Sequence, residues 1–236
     1  MIWFKLKNMK LSFTLLLLSS LFAQNSFSQD WANLNRYNGK NDSLPAPVDS
    51  LTRVVFMGNS ITEGWDGQYP SYFLKHPSYI NRGIGGQTTP QMLVRFRADV
   101  IHLKPKVVVI LGGTNDICGN TGPSTVEMIS DNIFSMAELA KANGIKVVIC
   151  SVLPVYDYPW KPGVNPVERI AQLNSMLKEY CSLYCIPYVD YYTEMADEKL
   201  GLKSEVTYDS VHPNTAGYKV MEPLVNIAIF NSLNQY

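Results

Sequence analysis

The chain has 236 residues, 46% of them hydrophobic and 17% charged, and its 20 basic residues balance 20 acidic ones. So apolar a composition excludes an intrinsically disordered chain, and a formal net charge of zero excludes the basic footprint of a nucleic-acid binder. The length fits one domain of ordinary size rather than two.

Lys5, Lys7 and Lys10 precede an apolar run from Leu11 to Ala23, and the small residues Ser26 and Ser28 follow. This is the charged, apolar and small-residue order of a secretory signal over residues 1–28, too short in its apolar part to span a bilayer comfortably. It implies export to the periplasm or the extracellular space, with no membrane span left in the mature chain. Residues 29–50 read as a polar leader with Pro45 and Pro47 forming an extended entry, and residues 51–236 as the folded domain.

The domain alternates strand-like and helix-like segments. Arg53 to Met57, ending at Gly58, predicts a buried strand, and Ser78 to Arg82 a weaker one before the glycine-rich Gly83 to Gly86. Thr89-Pro90 opens a helix reaching about Leu103, with proline in the first turn. Val107 to Leu111 is a continuous branched run, as expected for a parallel strand buried on both faces. Ser124 and Glu127 make a capping box for a helix running to Asn143-Gly144. Lys146 to Ser151 is the next strand, Asn165-Pro166 starts another helix, Tyr188 to Asp190 is a short last strand, and Asn214 to Ser232 a closing helix. The alternation predicts one doubly wound, flavodoxin-like α/β domain: a mostly parallel five-stranded sheet with helices on both faces.

Ligand sites in such folds gather beyond the carboxyl ends of the strands. Four loaded segments fall there: Gly58-Asn59-Ser60, Gly83 to Gln87, Gly112 to Asp116, and Asp209-Ser-Val-His212. A serine hydroxyl needs a base to become a nucleophile, and histidine, with an ordinary pKa of ~6.5, can accept its proton near neutrality. His212 is the candidate base for Ser60, and Asp209, three residues earlier, can hold the other ring nitrogen. Asn115 offers an amide donor, and Gly86 an N–H unobstructed by a side chain. His76 and His102 lie in solvated positions. Cys118, Cys150, Cys181 and Cys185 have no zinc spacing and read as buried thiols or one incidental disulfide.

"VVFMGNSITEGW", "NRGIGGQTT", "GGTND" and "DSVHPN" resemble, in order, the four blocks of the SGNH (GDSL) hydrolase superfamily, over nearly the whole domain from Arg53 onward. "IHLKPKVVVILGGTND" is especially similar to the platelet-activating-factor acetylhydrolase catalytic subunits. The resemblance implies Ser60 as nucleophile, His212 as base, Asp209 as its partner, and an oxyanion hole from Ser60 N–H, Gly86 N–H and the Asn115 side chain. It implies no metal and no organic cofactor. One departure is Asn59, where the family usually carries Asp.

Trp65, Tyr69, Tyr156, Tyr158 and Trp160 follow the first and fourth strands. Two roles fit these rings: a platform for sugar, with Trp65, Tyr158 and Trp160 contacting substrate, or caps over the core. The expected reaction is hydrolysis of short-chain, acetyl-like esters of small molecules or carbohydrates. The alternatives are a lysophospholipase or thioesterase of the same superfamily, and a non-catalytic carbohydrate-binding protein on this scaffold.

Overall fold

A computed structural model describes residues 30–48 and 51–234; the expected export segment, residues 1–28, lies outside them. Five strands, β1 (Val54–Gly58), β2 (Tyr79–Gly83), β3 (Val107–Leu111), β4 (Lys146–Cys150) and β5 (Tyr188–Val189), form one sheet in the order β2-β1-β3-β4-β5. Every pairing is parallel. This is the doubly wound architecture expected from the strand–helix alternation.

Period two sorts the strand side chains onto two faces. Val55, Met57, Val108, Ile110, Val147 and Ile149 pack into one core, while Val54, Phe56, Val107, Val109, Leu111, Val148 and Cys150 pack into the other. Because both faces are covered, the strands are apolar throughout rather than alternating.

The helices, in chain order, are α1 (Asn38–Asp42), α2 (Ser60–Glu63), α3 (Trp65–Gln68), α4 (Ser71–Lys75), α5 (Thr89–Asp99), α6 (Thr114–Cys118), α7 (Val126–Ala142), α8 (Val167–Leu183), α9 (Tyr191–Met195) and α10 (Thr215–Asn234). Met92 and Phe96 of α5, Ile129 and Ile133 of α7, and Leu173 and Leu177 of α8 cover the first face. Trp65, Tyr72, and Met221, Val225 and Ile229 of α10 cover the second.

Three boundaries differ from expectation. The α5 helix stops at Asp99: Val100 leaves helical geometry (φ −127°) and a separate 3-10 turn spans Ile101–Leu103. The α7 cap is Thr125, whose hydroxyl accepts from Met128 N–H, not the neighbouring Ser124; the register of the first turn decides between two good capping residues. The leader is not simply extended, since Leu34–Arg36 forms a 3-10 turn and α1 follows it. Among the described residues all four cysteines are free thiols; Cys118, Cys150 and Cys181 are buried and Cys185 is exposed. Burial pushes the Cys181 thiol up to about 12, which keeps it protonated and unreactive.

Candidate active site

Strand β1 ends at Gly58, and the chain turns at once into α2. A side chain at Gly58 would place a Cβ 2.0 Å from Thr62 Oγ1 and 2.9 Å from Leu111 O, so only glycine permits so tight a turn. Asn59 caps α2, its Oδ1 accepting from Ile61 N–H at 3.0 Å, and Ser60 occupies the first helical position. Asn59 Nδ2 is buried without a hydrogen-bond partner. That orphan donor stands where an aspartate would present a second acceptor.

His212 reaches Ser60 from the other end of the chain, with Ser60 Oγ and His212 Nε2 2.9 Å apart. On the far side of the ring, Nδ1 lies 2.7 Å from Asp209 Oδ2. The second Asp209 oxygen accepts from His212 N–H at 2.7 Å and Val211 N–H at 3.0 Å. The carboxylate therefore closes its own turn while orienting the imidazole. Ser210, inside this turn, holds φ at +70°, a left-handed conformation that costs a non-glycine residue about 1 kcal/mol. Burial pushes the Asp209 carboxyl up, but the backbone N–H and imidazole of His212, together with Val211 N–H, outweigh it and hold the carboxyl below its ordinary value. Asp209 thus stays anionic at neutral pH.

Past β2, Gly86 adopts φ +75° in a turn lying against Ser60: a Cβ on Gly85 would stand 3.9 Å from Ser60 Cβ. Gly85 N–H donates to Glu63 Oε2 at 2.7 Å and Gln87 N–H to Ile84 O at 3.3 Å. Between them, Gly86 N–H is the amide free for a ligand among the described residues. Past β3, Asn115 is held by one of its two amide hydrogens, Nδ2 donating to Gln87 O at 2.9 Å; the other remains to be aimed. Asp116 beside it is buried and accepts from Thr89 N–H and Oγ1–H. Burial raises its carboxyl to about 6, against the lowering effect of those hydrogen bonds.

Ser60, His212 and Asp209 thus form one hydrogen-bonded chain, and Gly86 and Asn115 are joined through Gln87. The aromatic expectation needs correcting. Trp65 is only 2% exposed and stacks between Tyr72 and Tyr218. Tyr158 is 0% exposed, its hydroxyl donating to Thr114 O at 2.8 Å. Both are core residues that a substrate could not touch. Trp160, by contrast, is 51% exposed, with its ring 5.8 Å from that of His212. Tyr208 went unnoticed in the sequence. It is 59% exposed and lies parallel to His212 within 10° at 5.8 Å; its place next to Asp209 in the last block was the available signal. A cleft of about 330 Å³, lined by Tyr156, Asp157, Pro159, Lys199, Gly201 and Ser210, opens beside this turn. A groove of about 800 Å³ lies by Arg53, Lys104 and Lys106 at the opposite end of the strands and has no part in this site. Among the described residues, no three His, Cys, Asp or Glu side chains converge as a metal site.

A parallel doubly wound sheet carrying a Ser–His–Asp chain and amide-rich turns at its carboxyl edge has the plan of a serine acyl-hydrolase fold. The chain belongs to the GDSL-like Lipase/Acylhydrolase family, whose model matches residues 56–220. It is similar to a GDSL-like lipase of Bacteroides thetaiotaomicron (47% identity, TM-score 0.82, covering 84% of this chain and 98% of the other). An acetylxylan esterase of Xylanibacter ruminicola shares 26% identity over 226 residues, 79% of this chain and 45% of that protein. The human platelet-activating factor acetylhydrolase IB subunit alpha1 shares 30% over 135 residues, 55% of this chain and 54% of that one. The chain spans about half the length of these curated relatives.

Proposed function

We propose that this chain is an exported serine esterase that removes short acyl groups, acetyl foremost, from carbohydrate esters. The hydrogen-bonded run from Ser60 through His212 to Asp209, at 2.9 and 2.7 Å, carries this reading. With Nδ1–H donating to Asp209, Nε2 is the acceptor for the Ser60 hydroxyl, which is the tautomer a general base requires. Ser60 Oγ attacks the ester carbonyl carbon as Nε2 takes its proton. The oxyanion is received by Ser60 N–H, Gly86 N–H and the free hydrogen of Asn115 Nδ2. Collapse expels the alcohol, protonated by His212, and water then releases the acid from the acyl-enzyme.

Two observations support a sugar on the alcohol side. Trp160 and Tyr208 place exposed aromatic faces at the ring of His212, and the adjacent cleft is edged by Asp157 and Lys199; flat faces beside polar groups suit pyranose rings. The acetylxylan esterase among the relatives points the same way. Export rests on the Lys5–Ala23 pattern.

Ser60→Ala is expected to abolish turnover of p-nitrophenyl acetate and fluorophosphonate labelling in a protein that still folds. Retained turnover in that variant would end the assignment. Rates across acetyl to decanoyl esters separate this reading from a lysophospholipase, which would peak at long chains. Acetate release from acetylated xylan tests the sugar.

A further inference from the structure

We propose that the leader, residues 32–42, is a brace that sets the oxyanion turn of the active site, with Glu63 as the residue that transmits its hold. This inference rests on the reading of Gly86 N–H as an oxyanion donor. The leader lies wholly outside the family match at 56–220, yet four of its groups grip the turn or its supports. Tyr37 Oη–H donates to Gly83 O, and Ala32 O accepts from Gln87 Nε2 at 2.7 Å. Arg36 Nη2 lies 2.8 Å from Glu63 Oε1, while the other oxygen of that carboxylate takes Gly85 N–H at 2.7 Å. Asn41 accepts from Arg82 Nε at 2.9 Å and donates to Asp99 at 2.8 Å.

These contacts have a direction. Gly83 to Gln87 contains three glycines, whose backbone freedom would let the Gly86 peptide sample several orientations. Glu63 removes that freedom by binding the amide one residue before. Gln87 fixes the residue after: it accepts from Arg95 Nε at 2.5 Å, donates to Ala32 O, and its own carbonyl holds Asn115. Two of the three oxyanion donors therefore share one supported segment. Preorganised donors stabilise a transition state only when their direction is set beforehand, so slackening the brace should slow the chemical step without weakening substrate binding. Glu63 and Tyr37 are positioning residues, since neither touches the reacting atoms.

The test uses the full chain and p-nitrophenyl acetate. Glu63→Ala should lower kcat by about tenfold to a hundredfold, part of the 10²–10³ expected for a lost donor, with KM within about twofold. The inhibition constant of a trifluoromethyl ketone, whose adduct presents the same oxyanion, should rise by a similar factor. Glu63→Gln keeps an acceptor for Gly85 N–H and should recover most of kcat. Tyr37→Phe should lower kcat severalfold, and it carries the test if Glu63→Ala does not fold. Asn115→Ala serves as the reference. If Asn115→Ala is silent, the oxyanion reading itself fails. If Asn115→Ala is impaired while Glu63→Ala and Tyr37→Phe are wild-type, or lose only KM, the brace is wrong.

Discussion

Arg95 is fully buried, and its guanidinium joins three parts of the site: Nε to Gln87 Oε1 at 2.5 Å, Nη1 to Asp99 at 3.0 Å, and Nη2 to Gly58 O at 2.9 Å. Replacing it with methionine leaves the Asp99 carboxylate, itself 1% exposed, without its principal counter-charge, a loss typically worth about 3–5 kcal/mol. Asp99 keeps its hydrogen bond from Asn41 and a favourable field from Arg82, which places the ionic part near the lower end. Gln87 Oε1 also loses its donor, at about 1–3 kcal/mol when buried, while Gly58 O keeps Ile84 N–H at 3.1 Å. Arg95→Met should therefore destabilise by about 5 kcal/mol, a large share of a typical domain's 5–15 kcal/mol. Arg95→Met/Asp99→Leu removes the stranded charge and should recover about half, since apolar replacement of both members of a buried pair is often close to neutral. Urea unfolding with a constant m-value measures both, and the double variant should be more stable than the single by about 2–3 kcal/mol. A single variant within 1 kcal/mol of wild type, or a double variant as unstable as the single, would refute the reasoning.

Two further outcomes follow from the site. Asp116, raised to about 6 by burial, binds its proton more tightly in the fold than in the unfolded chain. Its contribution therefore favours the fold at low pH and is lost as pH rises from about 4 to about 6, by about 3 kcal/mol in all. Subtracting the stability-versus-pH curve of Asp116→Asn from that of wild type should expose this fall, and a flat difference would show that Asp116 is not desolvated as described. Trp160→Ala, and separately Tyr208→Ala, should raise KM for acetylated xylo-oligosaccharides about tenfold, the equivalent of one lost stacking contact. The effect on p-nitrophenyl acetate, which has no sugar to stack, should be much smaller; equal losses on both substrates would place these rings in support of His212 instead.

The strands were legible because their requirement is local. Val107 to Leu111 has no polar position, and only a strand covered on both faces accommodates such a run at that length. Ser60, Asp209 and His212, which the structure brings into one hydrogen-bonded chain, stood out because few residue types at strand ends carry such groups. The leader did not. Arg36, Tyr37 and Asn41 meet partners 27, 46 and 58 residues away, and no short-range pattern announces a contact of that kind. Arg95 gave a faint signal, a charge within the buried stripe of α5 beside Met92 and Phe96, but two of its three partners, Gly58 at the end of β1 and Gln87 in the turn past β2, lie outside its own helix. Trp65 and Tyr158 were misplaced for a related reason: an aromatic near a strand end can face either the cleft or the core, and tertiary packing alone decides.

Trp65's actual position bears on the distance between Ser60 and His212. Ser60 and His212 are 152 residues apart in the chain, and their 2.9 Å approach depends on how α10, just past His212, docks against α2 and α3. That dock is aromatic and polar at once. Trp65 stacks on Tyr218 of α10 at 5.1 Å and on Tyr72 at 4.7 Å. Tyr218 Oη–H donates to Ile61 O at 2.7 Å, one residue after Ser60, and Tyr72 Oη–H to Asn226 at 2.8 Å. Stacking fixes the separation of the two segments, and the hydrogen bonds fix their register. A hydroxyl and an imidazole carried on the two ends of a chain can stay within reach only if a rigid contact lies close behind them. The buried ring at Trp65 supplies that contact, which is a more demanding role than lining the cleft.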